Sequence, residues 1–395
     1  MSRRFPDYSL PFSEFYKDKQ DLLFKKLLNS GISNKTAGDV ISSGYYMLEE
    51  SGLVYDSFYA PMWLMTGQFR FNDFLEILEN RKTIKSVEKK ISTVHSTEEI
   101  LDILRSDPHS NYCLDQGSLS YRGQTNEYFT KRLIPNPSLK NKEGQERLII
   151  PGIYRKYSED FQARIMDERP QEIFNTYLAD DLIYYGMESP LILQERNYKK
   201  YGIHTISDLG DFPEPENQEF YKRWIQIKVQ GNAYPDIAII SQHYGFHTYG
   251  LDITFDPKVA AFFASHKFVL KSNGKADYYP VEKGKHTGVI YCFYFRAPQI
   301  TRTKDIIQSI PAFDYIKPVR PIKQSCALPF FLPDRLNEAN QFIFHIFKLH
   351  PDFDNSDLPS KNYLFPNMNE DKFYKAVIDV KKNNDVWSDF VEYDF

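Results

Sequence analysis

The chain has 395 residues, room for two or three domains at roughly 100–200 residues each and for a sizeable core. Lys plus Arg number 49 against 53 Asp plus Glu, a formal net charge of -4, which excludes a global electrostatic field for nucleic acid or acidic lipid and leaves only local ones. Hydrophobic residues at 42% and charged residues at 26% are ordinary for a globular protein, whereas 16% aromatic is high and supplies stacking surfaces, many with a tyrosine hydroxyl.

In chain order, Phe12, Phe15, Tyr16, Leu23 and Leu27 recur at helical spacing and stop at Ser30-Gly31. A second helix is expected from Asn34, with Ala37, Val40, Ile41, Tyr45 and Leu48 on one face and Gly52 closing it, and a third from Asn72 to about Val87. Ser96-Thr97-Glu98-Glu99 is a capping box ahead of Ile100 to Leu104. Residues 1–110 therefore read as a small all-α domain. From Tyr112 the pattern becomes α+β. Gly288 to Phe295 and Gln341 to Phe347 read as strands, the segment from Pro235 to His243 as a helix stopped by Gly245, and Asp256-Pro257 as the capped start of another helix. Residues 111–350 form the second expected domain, and 351–395, with ten acidic against five basic side chains, an acidic extension packed on it. Residues 131–156 carry seven basic side chains against Glu143 and Glu146, either a phosphate-tracking stretch or a solvated loop.

Cys113, Cys292 and Cys326 form no CxxC, so no zinc ribbon or disulfide framework is expected. The basic pair Arg3-Arg4 has no apolar stretch behind it and no apolar run reaches ~18 residues, which points to a cytoplasmic protein without a membrane segment. Rossmann and phosphate-loop glycine patterns are absent, the acidic run at Asp352 lacks the glycine and glutamate of a calcium loop, and His243 and His247 flank a glycine without an HExxH glutamate. No metal is expected.

Two segments concentrate polar residues at element boundaries. Ser118 to Thr125 reads as a strand running into a glycine turn, with Arg122 presenting a planar fork suited to phosphate or carboxylate. Gln242 to Ala264 reads as helix, glycine turn, strand and capped helix. Together they resemble the FRG domain family. Tyr121-Arg122-Gly123-Gln124 matches the naming motif. Gln242-His243-Tyr244-Gly245, then Thr248, Leu251-Asp252, Thr254, Pro257, Val259-Ala260 and Phe263-Ala264, match a longer signature. Arg335 and Gln341-Phe342-Ile343-Phe344 match a late strand. Tyr249 stands where the family usually has arginine, and Gly250 where it has leucine.

The family's signatures are similar to the three motifs of the ADP-ribosyltransferase fold, which implies a mixed or antiparallel β core and NAD as substrate. On that resemblance Arg122, Thr254 and Gln341 converge on NAD, with Glu338 or Asp252 as a further carboxylate. Tyr121, Gln124, Gln242, His243, Tyr244 and Thr248 would add binding contacts. Breaking the nicotinamide–ribose bond needs a grip on the pyrophosphate, an orienting hydroxyl and an acceptor near the ribose hydroxyls. The resemblance further implies a toxin or defence effector, with a protein or nucleic-acid acceptor and a neutralising partner. The competing reading is a non-catalytic FRG module that binds nucleic acid or a protein through residues 131–156 and exposed tyrosines.

Overall fold

A computed structural model describes residues 13–59, 66–84, 89–151, 199, 240, 242–246, 250–295, 300–309, 317–329, 336–382 and 392–393. The fold is α+β. Helices α1 (Ser13–Asn29) and α2 (Asn34–Ser42) lead into strands β1 (Tyr45–Met47), β2 (Leu53–Asp56) and β3 (Gln68–Arg70), then helix α3 (Phe71–Leu78). The amino-terminal part is thus not all-helical, because β1, β2 and β3 pair antiparallel into a sheet. Gly44, at φ +90, ends the second helix before Tyr45, and Gly52, at φ +64, turns the β1–β2 hairpin instead of closing a helix. The third helix also stops short of Val87, at Leu78, with Asn80 in the left-handed region at φ 56.

Strand β4 (Lys90–Val94) precedes helices α4 (Thr97–Ser106) and α5 (Pro108–Asp115) and strand β5 (Leu119–Gln124). Ser96 caps α4 as expected, its hydroxyl accepting from the Glu99 amide at 3.2 Å. Downstream lie β6 (Ile253–Thr254), α6 (Pro257–Ser265), β7 (His266–Leu270), β8 (Lys275–Pro280), β9 (Val289–Tyr294), β10 (Ile300–Arg302), α7 (Thr303–Ser309), α8 (Arg320–Lys323), β11 (Cys326–Pro329) and β12 (Ile343–Leu349). The chain ends with α9 (Lys361–Leu364), α10 (Lys372–Lys382) and β13 (Glu392–Tyr393).

The central sheet has the order β10-β11-β6-β5-β9-β12-β4 and is antiparallel except for the edge pair β12–β4. The sheet therefore begins at Lys90, upstream of the expected boundary at 110. Both of its faces are covered. Leu119, Tyr121, Ile290, Cys292 and Phe347 pack on one side with α4 and α6, and Ile253, Tyr291, Phe293 and Ile346 on the other with Ile149 and Phe342. A second three-stranded sheet, β13-β8-β7, stands beside α6.

Gly123 is a strand residue and not a turn. A Cβ there would lie 1.8 Å from the carbonyl oxygen of Ala260, and one at Gly288 would lie 2.2 Å from that of Ala264. Gly123 on β5 and Gly288 immediately before β9 thus let α6 lie directly on the sheet backbone, where its small residues Ala260 and Ala264 meet them. Because side chains alternate along a strand, this contact aims Arg122 at the opposite face, level with Tyr291 of β9.

Candidate active site

A cleft of about 470 Å³ opens beside the junction of β5, β6 and α6. Of the residues expected to form a site, it gathers Tyr121, Arg122, Gln124, Gln242, His243, Asp252 and Thr254. The second signature explains much of its geometry. Asp256 caps α6 by accepting from the Lys258 amide at 2.8 Å, with Pro257 at the favoured first helical position. Gln242, His243 and Tyr244 form a single 3-10 turn that ends at Gly245, φ +94. A Cβ at Gly250 would stand 2.3 Å from Gln242 Oε1, so the glycine in place of the family's leucine is what seats Gln242 against this loop.

Asp252 joins the two signatures. Its main-chain oxygen accepts a hydrogen bond from Arg122 Nη1, and its half-exposed carboxylate lies 3.3 Å from Nδ1 of His243. Cys326 Sγ, from β11, is also 3.3 Å from that nitrogen, and the thiol lies 3.7 Å from Gln324 Oε1. Burial, opposed in part by Asp252 and reinforced by Arg320, lowers the His243 pKa, so the imidazole rests neutral. Burial pushes the Cys326 thiol well up, which makes it a poor nucleophile. Among the described residues, His243 Nε2, Tyr121 Oη and Gln124 Oε1 are buried without a hydrogen-bond partner. Three such atoms on one cleft leave hydrogen-bonding capacity that a polar ligand could meet.

Four of the expected site residues are placed elsewhere or otherwise engaged. Thr254 does line the cleft, but its hydroxyl donates to Gln324 O at 2.7 Å and accepts from the Asp256 amide at 3.0 Å, tying β6 to the turn before β11. Tyr244 does not face the cleft: its hydroxyl donates to Asp371 at 2.7 Å and its ring packs on Phe373. Gln341 and Glu338 fall on a 3-10 turn (Glu338–Phe342) ahead of β12, not on the strand, and neither lines the cleft. Arg122 is level with Tyr291 and hence with Ile346, so Gln341 is two strands away and five residues upstream of that level. Thr248, Tyr249, His247 and Arg335 lie outside the described residues.

The basic stretch at 131–156 is not a continuous cationic face among the described residues. Arg132 is buried between Asp56 and Glu146, at 2.7 and 2.9 Å, and Arg147 pairs with Glu127 at 2.6 Å. At Arg132 and Arg147 the positive charge belongs to interior ion pairs rather than to a surface. The aromatic walls of the cleft, by contrast, have no local signature in the sequence. Phe268 and Tyr278 come from the β7–β8 hairpin, while Phe365 and Tyr393 come from the acidic carboxyl-terminal segment. Their only signal was the general excess of Phe and Tyr.

Phe365 and Tyr393 also enclose a buried arginine. The Arg320 guanidinium lies over the rings of Tyr244, Tyr374, Tyr393 and Phe365 at 4.7, 4.6, 4.8 and 5.3 Å, and Nη1 donates to the main-chain oxygen of His243 at 3.0 Å. Cation–π contacts of this kind hold a charge away from water. They anchor the turn that carries His243.

The FRG domain family matches residues 203–271. The chain carries an FRG domain. The matched stretch includes Gln242, His243, Asp252, Thr254 and α6, while Arg122 reaches the FRG segment through the Asp252 carbonyl. No curated protein and no solved structure matches the chain. Among the described residues, no helix is long and apolar enough to cross a membrane, and no group of His, Cys, Asp or Glu side chains around the FRG cleft or elsewhere is placed to hold a metal ion.

Proposed function

We propose that the FRG cleft binds NAD, cleaves its nicotinamide–ribose bond and delivers ADP-ribose to an acceptor or to water. The observation that carries this reading is the convergence of one arginine fork, Arg122, with aromatic walls in a cleft sized for a nucleotide. A dinucleotide needs an anion grip for its pyrophosphate and flat surfaces for its two rings. Arg122 supplies the first, and Tyr128, Phe263, Phe268 and Tyr278 supply surfaces of the second kind. Asp252, half-exposed on the same cleft, offers the negative charge that favours an oxocarbenium-like ribose as nicotinamide departs. Of the two carboxylates that the family resemblance offered, Glu338 and Asp252, it is the one that lines the cleft. The resemblance of the family's signatures to ADP-ribosyltransferase motifs implies the same role for Arg122, and Thr254 would serve it by holding β6 in place.

The test is direct. Purified protein incubated with NAD is expected to release free nicotinamide, and Arg122→Ala is expected to weaken NAD binding by roughly ten- to a hundredfold, as the loss of a charge-assisted hydrogen-bonding group of about 1.5–3 kcal/mol requires. Failure of the wild-type protein to release nicotinamide, with water, protein or nucleic acid offered as acceptor, would overturn the proposal.

A further inference from the structure

Resting on the reading above, we propose that His243 is the base that takes the proton from the incoming nucleophile, and that Asp252 is its positioning residue. A neutral imidazole carries one proton, and its location is set by what faces each nitrogen. The two groups beside Nδ1 are the Asp252 carboxylate and the Cys326 sulfur, each at 3.3 Å. A carboxylate accepts only, so it selects the tautomer with the proton on Nδ1. Nε2 is then left with a lone pair. That atom is buried and has no partner among the described residues, an arrangement that costs stability unless something else meets it.

The surroundings fix the ring in this pose. The main-chain oxygen of His243 accepts from Arg320, whose guanidinium is enclosed by four aromatic rings, and the His243 side chain is 2% exposed. Arg122 holds the carbonyl of Asp252, so the group that would grip the dinucleotide also aligns the carboxylate that orients the base. An acid residue on Nδ1, a bare Nε2 and a rigid ring form the carboxylate–imidazole pair that recurs in nucleophile activation.

In the step proposed, the C–N bond between ribose and nicotinamide breaks and its electron pair leaves on the nicotinamide nitrogen. The oxygen of a hydroxyl acceptor or of water bonds to ribose C1′. Its proton passes to Nε2 of His243 and then to solvent, so NAD and the acceptor yield the ADP-ribosyl product, nicotinamide and one proton. Cys326 takes no covalent part.

The experiment has two arms, one independent of substrate. In the first, nitrogen-15 spectra of histidine-labelled protein read the tautomer, with His243→Gln assigning the signal. A protonated Nδ1 that is lost in Asp252→Asn supports the pair, and a protonated Nε2 overturns it. In the second, single-turnover nicotinamide release is compared with NAD affinity. His243→Gln is expected to slow release by about 10²–10⁴-fold while affinity changes by less than about threefold. Asp252→Asn, at a half-exposed position, is expected to slow release and to displace the acidic limb of the pH–rate profile. Retention of more than about a tenth of the rate in His243→Gln overturns the inference even if the enzyme is active. A wild-type protein inert toward NAD but carrying the proton on Nδ1 sinks the substrate reading and supports the pair as a base for another substrate.

Discussion

Tyr244 donates its hydroxyl to Asp371 at 2.7 Å, and that one bond ties the FRG signature turn to the carboxyl-terminal segment. The carboxylate does more than receive it. Its Oδ2 also accepts from the amides of Val319 and Arg320 at 3.0 and 2.8 Å, and Oδ1 from Tyr374 at 2.9 Å. Asp371→Ala would strand these donors beside a buried guanidinium and is expected to cost about 3–5 kcal/mol. Chemical denaturation followed by circular dichroism checks this, with a shifted midpoint at unchanged slope.

The glycines beneath α6 predict a second effect. Gly123→Ala must push the helix off β5, because the new methyl would overlap the Ala260 carbonyl, and neither backbone can yield locally. A loss of about 3 kcal/mol or more is expected, beyond the ordinary cost of overpacking. Gly144→Ala, at φ +77 in open space, strains only one residue and should cost about 1 kcal/mol. Comparable losses in thermal unfolding for the two variants would refute the close-contact account.

Arg132 offers a third test, since the competing nucleic-acid reading also needs it. Its Nη groups meet Asp56 at 2.7 and 2.8 Å and its Nε meets Glu146 at 2.9 Å, all in the interior. Arg132→Ala leaves two buried carboxylates without their cation and should destabilise by about 3–5 kcal/mol. Titration of single-stranded RNA at low salt, under conditions where the variant remains folded, should show no affinity change traceable to this residue.

His345 makes stability pH-dependent. Burial, with Lys90 adding to it, lowers its pKa to about 4, while its Nε2 lies 2.9 Å from Ser92 Oγ. The unfolded chain binds a proton near the ordinary histidine value of about 6.5, whereas the folded chain does not until about 4. Stability contributed by the neutral ring is therefore present above pH 6.5 and declines as pH falls through that window. In urea titrations from pH 7 to 4.5, the wild type should lose more stability than His345→Gln. Parallel curves would show that the residue titrates normally.

Gln341 gives the sharpest contrast between sequence and structure. Because it lies two strands from Arg122 and outside the cleft, Gln341→Glu is expected to leave nicotinamide release within about threefold of wild type. A large gain would mean that the turn before β12 closes over the ligand.

The described part of the FRG segment was legible because its signals are local. The Asp256 cap, Pro257 and the glycine after Tyr244 each dictate a backbone state within a few residues. The central strands were legible where β-branched and aromatic residues run unbroken, as in Val289–Tyr294, since both faces are covered. Tyr45–Met47 misled because three apolar residues fit either period, and only Gly44 decided between them. Gly123 misled for another reason: its purpose is the Ala260 carbonyl, 137 positions further along the chain, and no local rule reports that. Gln341 failed in the same way, since its motif fixes a chain position and not a distance from Arg122.

The rings of Phe365 and Tyr393 face two ways, toward the cleft and toward Arg320. Occupancy of the cleft and docking of the carboxyl-terminal segment are therefore linked equilibria, and linkage is reciprocal. A ligand that presses on these rings slows hydrogen exchange in α10 by the same free energy with which the docked helix raises the ligand's affinity. The last turns of the chain then report on the cleft from outside it.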